Sequence, residues 1–234
     1  MAMKRLLYLG NGRQLQSVAK LDERFESWGL GVDRYWAYDG QFPDGLDGFD
    51  GIFLSGSPHG AYEEIDWIER EHDLIRDAAE KDIPMLGICF GHQILASALC
   101  GKEQVFRRDT CEIGYADLEV TEAAKDDPLA QDWGETVHMF VWHNDEVRAA
   151  HPDMVVLALS DDCPNHVWRH RGHRAWGIQG HPEVTRAQAP VWFEQNRERM
   201  TKDGGDVDAF IAAADPALEA KSMLTRFAEL VKRG

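Results

Sequence analysis

The sequence is short of several things, and each shortage closes a class of explanation. Four cysteines stand among 234 residues, at 89, 100, 111 and 163, with no Cys-x-x-Cys spacing and no dense framework. They read as reduced thiols of a cytoplasmic protein, not as a disulfide scaffold. No apolar run approaches the ~20 residues needed to cross a bilayer. Leu6-Leu7-Tyr8-Leu9, behind Lys4-Arg5, is broken at once by Gly10-Asn11-Gly12, so it reads as a first strand and not as a signal peptide. Basic residues are scarce: 25 Lys and Arg against 41 Asp and Glu give a net charge of −16. That sign argues against a nucleic acid or an anionic membrane as partner, since both demand clustered cations. Internal repeats and low-complexity tracts are missing too. What is there, 44% hydrophobic and 28% charged, is the composition of a globular protein long enough for one filled core.

The first hundred residues alternate between short apolar runs and helical periodicity. Residues 4–9, 32–36, 51–54 and 83–86 read as strands. Val18, Leu21, Phe25 and Trp28 recur at helical spacing up to Gly29. Trp67, Ile68, Leu74, Ile75, Ala78 and Ala79 mark one face of a helix over about 65–81. Such alternation predicts a parallel sheet with helices on both faces, and ligands collect at the carboxyl ends of its strands. Beyond Gly101 strand-like segments dominate, at 104–106, 113–120, 136–140, 155–159, 167–169 and 175–179, and are expected to extend the sheet in antiparallel fashion. A helix over about 186–200 and a break at Gly204-Gly205 follow. Asp215 as N-cap and Pro216 at the first helical position signal a last helix, with Leu224, Phe227 and Val231 as its buried stripe. The expectation is one α/β domain over 1–234, with a mixed, mostly parallel central sheet flanked by helices and a helical C-terminal extension over about 190–234.

Gly87-Ile88-Cys89-Phe90-Gly91-His92-Gln93 joins a buried strand to a helical run, so Cys89 falls on a sharp strand-to-helix turn with a glycine two residues to either side. This is the sulfur counterpart of the Gly-x-Ser-x-Gly nucleophile elbow, where a strained turn presents the nucleophile off the sheet edge. The helix N-terminus there favours negative charge. The plainer alternative is a small buried hydrophobe. A catalytic sulfur needs a base, and the base needs something to orient it. Gly180-His181-Pro182-Glu183 follows an apolar strand, and proline holds His181 extended, so that His181 and Glu183 project to similar sides. The plainer reading here is a turn with a solvated Glu183.

The other histidines are weaker candidates. His166, His170 and His173 cluster with arginines around Gly172 as an exposed hairpin turn. The His166–His170 spacing near Cys163 lacks a recognisable ligand order, so no metal is expected. His59, His72 and His151 read as surface residues, and His92 as packing against the sheet.

Taken together, the cysteine and histidine motifs resemble the class I, or triad, glutamine amidotransferases. Ser55-Gly56-Ser57-Pro58, Ile113-Gly114-Tyr115 and Trp142-His143-Asn144-Asp145-Glu146-Val147 agree with that likeness. Within the family the chain is most similar to the glutaminase domain of GMP synthases and to the free-standing gamma-glutamyl peptidases, over about residues 4–190. The resemblance implies a flavodoxin-like three-layer fold, a Cys89–His181–Glu183 triad, and an oxyanion hole from the main-chain N–H groups of Ser57 and Phe90. It further implies substrate contacts from Gly56, Gln93, Trp142, His143 and Asp145, and no cofactor. Ser57 departs from the pattern, standing where the family commonly has a second glycine. The implied reaction is cleavage of the glutamine side-chain amide through a cysteine thioester, giving glutamate and ammonia. Since no phosphate loop and no Ser-Gly-Gly-x-Asp-Ser motif is present, amination of an acceptor would require a separate synthetase subunit. The alternatives are a self-sufficient gamma-glutamyl peptidase and, in a different class, a binding or regulatory module with an idle triad.

Overall fold

The computed structural model describes residues 2–12, 19–214 and 218–234. Among the described residues nine strands form one sheet: β1 Arg5–Gly10, β2 Gly31–Trp36, β3 Gly51–Leu54, β4 Met85–Ile88, β5 Val105–Val120, β6 Thr136–Val147, β7 Met154–Leu159, β8 Val167–His170 and β9 Ala175–Ile178, in the order β2-β1-β3-β4-β9-β8-β7-β5-β6. The five strands from β2 to β9 are parallel, and the rest of the sheet is antiparallel. The described helices are α1 Leu21–Ser27, α2 Asp66–Glu80, α3 Phe90–Cys100, α4 Ala189–Gln195, α5 Arg197–Lys202, α6 Val207–Ala212 and α7 Leu218–Arg233. Among the described residues, no helix is long and apolar enough to cross a membrane.

The inner parallel strands β1, β3, β4 and β9 are buried and mainly apolar on both faces because each face is covered by helices, whereas the edge strand β2 is half-exposed. Side chains alternate across a strand. Leu6, Tyr8 and Phe53 therefore share one layer with Phe25 of α1 and with Leu224, Phe227 and Val231 of α7. Leu7, Leu9, Ile52 and Leu54 share the opposite layer with Ile68 and Ile75 of α2 and Ile94 of α3. A third cluster lies over the antiparallel end, where Phe140 and Trp142 of β6 meet Trp192, Phe193, Met200 and Val207. The last three helical segments before α7 are thus held by aromatic packing.

The structure departs from the sequence reading in several places. β9 is not antiparallel to its parallel-strand neighbour: Met85–Ile88 pairs with Ala175–Ile178 in parallel, which puts the segment before His181 directly beside the elbow strand. Segments 104–106 and 113–120 are one strand, interrupted between Arg107 and Glu112 by an irregularity that lets short propensity runs look separate. β6 continues through residues 142–147, where polar side chains hide the strand period. The helix expected over 186–200 breaks at Asn196 into α4 and α5. His72 is fully buried in α2, although its charge-rich neighbours suggest a surface position. Val18, Asp215 and Pro216 lie outside the described residues.

Candidate active site

Four strand ends converge on one cavity of about 490 Å³. β1 delivers Asn11 and Gly12, β3 the loop Gly56–His59, β4 Cys89, and β9 His181. Because the strands are parallel, their C-terminal ends and the loops that leave them share one edge. Trp142 of β6 closes one side, and Trp192, Asn196 and Arg199 from the C-terminal helices form another.

Cys89 sits between β4 and α3 with φ 54° and ψ −108°. A non-glycine residue there costs on the order of 1–3 kcal/mol, which the surrounding packing must sustain. The flanking glycines show how. A Cβ on Gly91 would stand 2.2 Å from the Leu54 carbonyl oxygen, and one on Gly87 would stand 2.1 Å from the Gly91 oxygen. Only bare backbone lets α3 start so close to β3 and β4. The Cys89 N–H donates to Ile178 O at 2.8 Å, tying the elbow to β9. Its Sγ lies 3.9 Å from Trp142 O.

His181 is buried, its N–H donating to Phe140 O at 2.8 Å. Its Nδ1 is 2.9 Å from Glu183 Oε1, and its ring packs 5.0 Å from that of Trp192. Burial alone pulls the imidazole pKa down, but the Glu183 carboxylate and the neighbouring Cys89 sulfur outweigh it and raise the value to about 10. Arg24 Nη1 donates to the Glu183 carbonyl at 2.6 Å, fixing that loop from α1.

The remaining candidates divide. Gly56, Ser57 and Trp142 line the cavity with Cys89 and His181. Phe90 turns its ring away, 5.5 Å from Trp67, while its N–H belongs to the first turn of α3, where helices leave donors unpaired. Gln93, His143 and Asp145 are buried behind the cavity. Gln93 Nε2 donates to Asp145 O and Gln179 Oε1, both at 3.1 Å. Asp145 Oδ1 accepts from Tyr62 at 3.2 Å and lies 3.5 Å from Arg107 Nη1. Burial raises the Asp145 pKa, with Arg107 pulling the other way. His143 Nδ1 faces Asp145 O at 2.9 Å.

Sequence reasoning passed over Asn11, Tyr38 and the wall from the C-terminal helices. Trp192 lies on α4, Arg199 on α5 and Asn196 at the break between them, so no single helical period marks the three as one face. Arg199 packs its guanidinium 4.6 Å over the Trp142 ring, whose Nε1 donates to Asp203 at 2.9 Å.

Comparison with known proteins agrees with this architecture. Residues 15–196 match the family model described as glutamine amidotransferase class-I. Gamma-glutamyl peptidase 3 of Arabidopsis thaliana is 31% identical over 176 residues, covering 72% of this chain and 68% of the relative. A GMP synthase of Cronobacter sakazakii is 33% identical over 194 residues, which span 79% of this chain but 35% of that longer protein. The chain is also similar in fold to the crystal structure of a glutamine amidotransferase from Thermotoga maritima, with a TM-score of 0.86, 22% identity and full coverage of both chains.

Proposed function

The chain belongs to the class-I glutamine amidotransferase family, and on that premise we propose that it hydrolyses the γ-amide bond of a glutamyl substrate through Cys89, His181 and Glu183. One observation carries the reading: a strained Cys89 elbow opens into the same cavity as an imidazole that is itself bonded to a buried carboxylate. The Cys89 sulfur attacks the amide carbon as thiolate, forming a tetrahedral intermediate. Main-chain N–H groups of Phe90 and Ser57 receive its oxyanion, where losing one donor typically costs about 3–4 kcal/mol. Serine at position 57 retains that donor. His181, protonated in the ion-paired state that Glu183 favours, delivers a proton to the departing nitrogen. The neutral imidazole then draws a proton from water, which splits the thioester and restores the thiol system. Glu183 keeps the ring oriented throughout.

The leaving group is ammonia if the substrate is glutamine and an amine if it is a γ-glutamyl peptide. The cavity favours room for the latter. About 490 Å³ exceeds what free glutamine fills, and Arg199 stands on its wall as a cation for a second carboxylate. Glutamine hydrolysis for a separate synthetase is the reading favoured by likeness to the glutamine-hydrolysing GMP synthase chain of Methanosarcina barkeri, 34% identical over 139 residues.

The test is turnover by the purified chain alone, on glutamine and on γ-glutamyl dipeptides, with Cys89→Ala as control. Dipeptide cleavage without a partner identifies a peptidase. Slow glutamine hydrolysis that rises with a second protein identifies a component of a two-chain synthetase. If neither substrate turns over and a glutamine-derived electrophile does not label Cys89, the triad is idle and the proposal fails.

A further inference from the structure

A second cluster lies behind the cavity wall, built from three separate segments. Glu112 of β5 and His143 of β6 are direct cross-strand partners. Cys163 and His166 come from the connection between β7 and β8. One ligand atom from each of the four lies within 4.8 Å of every other, and Cys163, His143 and His166 are buried. His170, which the sequence pairs with His166, is elsewhere: its Nδ1 accepts from the N–H groups of Gly172 and His173 at 3.0 Å and shapes the hairpin turn.

We propose that Glu112, His143, Cys163 and His166 form a structural zinc site that ties β5, β6 and the β7–β8 connection together behind the cavity.

Donor chemistry is the first argument. Two imidazoles, one thiolate and one carboxylate are a four-ligand set suited to zinc, which prefers a closed tetrahedral shell in structural sites. Orientation is the second. His143 Nδ1 faces the Asp145 carbonyl, which can only accept, so Nδ1 carries a proton and Nε2 is the ring nitrogen left to meet Glu112 Oε2, 2.8 Å away. This is the outer-shell bond that fixes the tautomer of a metal-bound histidine. A contact that short is satisfied by a second ring proton or by a cation in its place, and the titration below separates the two. His166 Nε2 stands 3.2 Å from Glu112 Oε1, and its Nδ1 is buried with no hydrogen-bond partner among the described residues.

Charge is the third argument. Arg108 Nη1, 3.9 Å from Glu112, is committed to a short ion pair with Glu146. Glu112 and a Cys163 thiolate then supply the two negative charges that a divalent ion requires. Binding is a simple exchange: Zn²⁺ replaces the Cys163 thiol proton, which leaves to solvent, and no electron is transferred. Zinc–nitrogen and zinc–sulfur bonds of about 2.0–2.3 Å place tetrahedral ligands roughly 3.3–3.6 Å apart. The His143–Glu112 pair opens slightly to reach that spacing, and the widest pair closes by about 1 Å.

The full chain, dialysed against chelator, is titrated with Co²⁺ and then with Zn²⁺. One equivalent of Co²⁺ is expected to give visible bands of a tetrahedral site and a thiolate-to-cobalt charge-transfer band, both displaced by Zn²⁺. Cys163→Ser should lose the charge-transfer band, and His166→Gln should weaken binding more than about tenfold. Cys89 also faces an imidazole, so Cys89→Ser is titrated in parallel and should keep the band. If Cys163→Ser does not fold, His166→Gln and the stoichiometry of the unmodified chain decide. Failure to bind near one equivalent overturns the proposal, leaving Glu112 as a plain ion pair with protonated histidines. A band that survives Cys163→Ser, or disappears in Cys89→Ser, overturns it as well.

Discussion

Two sulfur atoms in this protein stand beside imidazole and carboxylate groups, and their surroundings set them apart. Cys89 occupies a strained left-handed backbone position at the mouth of a cavity, with His181 and Glu183 behind it. Cys163 lies fully buried in a turn, its N–H and carbonyl both bonded to Ser160, and burial pushes its thiol pKa well up. Cys89 can meet a substrate; Cys163 lies outside the cavity that would hold one. The difference teaches that residue type and proximity do not make a nucleophile. A turn that presents the sulfur to an open space and a polarised base beside it do.

The sharpest way to break this comparison is to remove the exposed sulfur. Cys89→Ala should lower turnover of γ-glutamyl amides by ~10³-fold or more, measured as ammonia or amine release. A variant that keeps a tenth of the activity would take the elbow out of the chemistry. Next comes the orienting carboxylate. Glu183→Gln should cost ~10²–10⁴-fold in kcat. It should also shift the pH profile in a defined direction. Against burial, Glu183 and the Cys89 sulfur together raise the His181 pKa to about 10, so the protonated imidazole persists up to that pH. Without the carboxylate charge the pKa falls, and the alkaline limb of kcat should move to lower pH. An unmoved limb would mean that Glu183 does not act on His181.

A smaller effect is expected on the cavity wall. Arg199→Ala should raise KM about tenfold for γ-glutamyl dipeptides with a free carboxylate, the scale of one charge-assisted hydrogen bond. Glutamine itself should be affected less, and an equal effect on both would deny Arg199 a role in selecting the leaving group.

The mildest test concerns Glu71, a carboxylate whose partner is an amide instead of an imidazole. It is fully buried, accepts from Asn11 Nδ2 at 2.9 Å, and burial pushes its pKa from 4.5 up to about 8, with Asn11 pulling the other way. Between those values the native state holds a proton that the unfolded chain releases, so stability should fall as pH rises from about 4.5 to about 8. Glu71→Gln should flatten that slope in urea unfolding measured across the range. A slope unchanged in the variant would show that Glu71 ionises normally.

Most of the parallel half was legible because local patterns there carry global information. The runs ending at Leu9, Leu54 and Ile88 are apolar on both faces, and glycines at 87 and 91 are needed wherever an elbow crosses so close to neighbouring backbone. The antiparallel half is less legible. Polar residues such as Glu112, His143 and Asp145 point into a buried network, so the alternation that marks a half-exposed strand is absent. The break at Asn196 has no proline or glycine to announce it.

By itself, then, the sequence determined the alternating α/β order, the cysteine turn and the His-Pro-Glu segment, because each depends on residues near one another in the chain. Only tertiary structure decided that β9 lies parallel to β4, that Trp192 and Arg199 wall the cavity, and that Glu112 meets His143, Cys163 and His166. The physical reason is one of range. Backbone preferences act over a few residues, whereas strand pairing and burial join segments whose separation along the chain leaves no local trace.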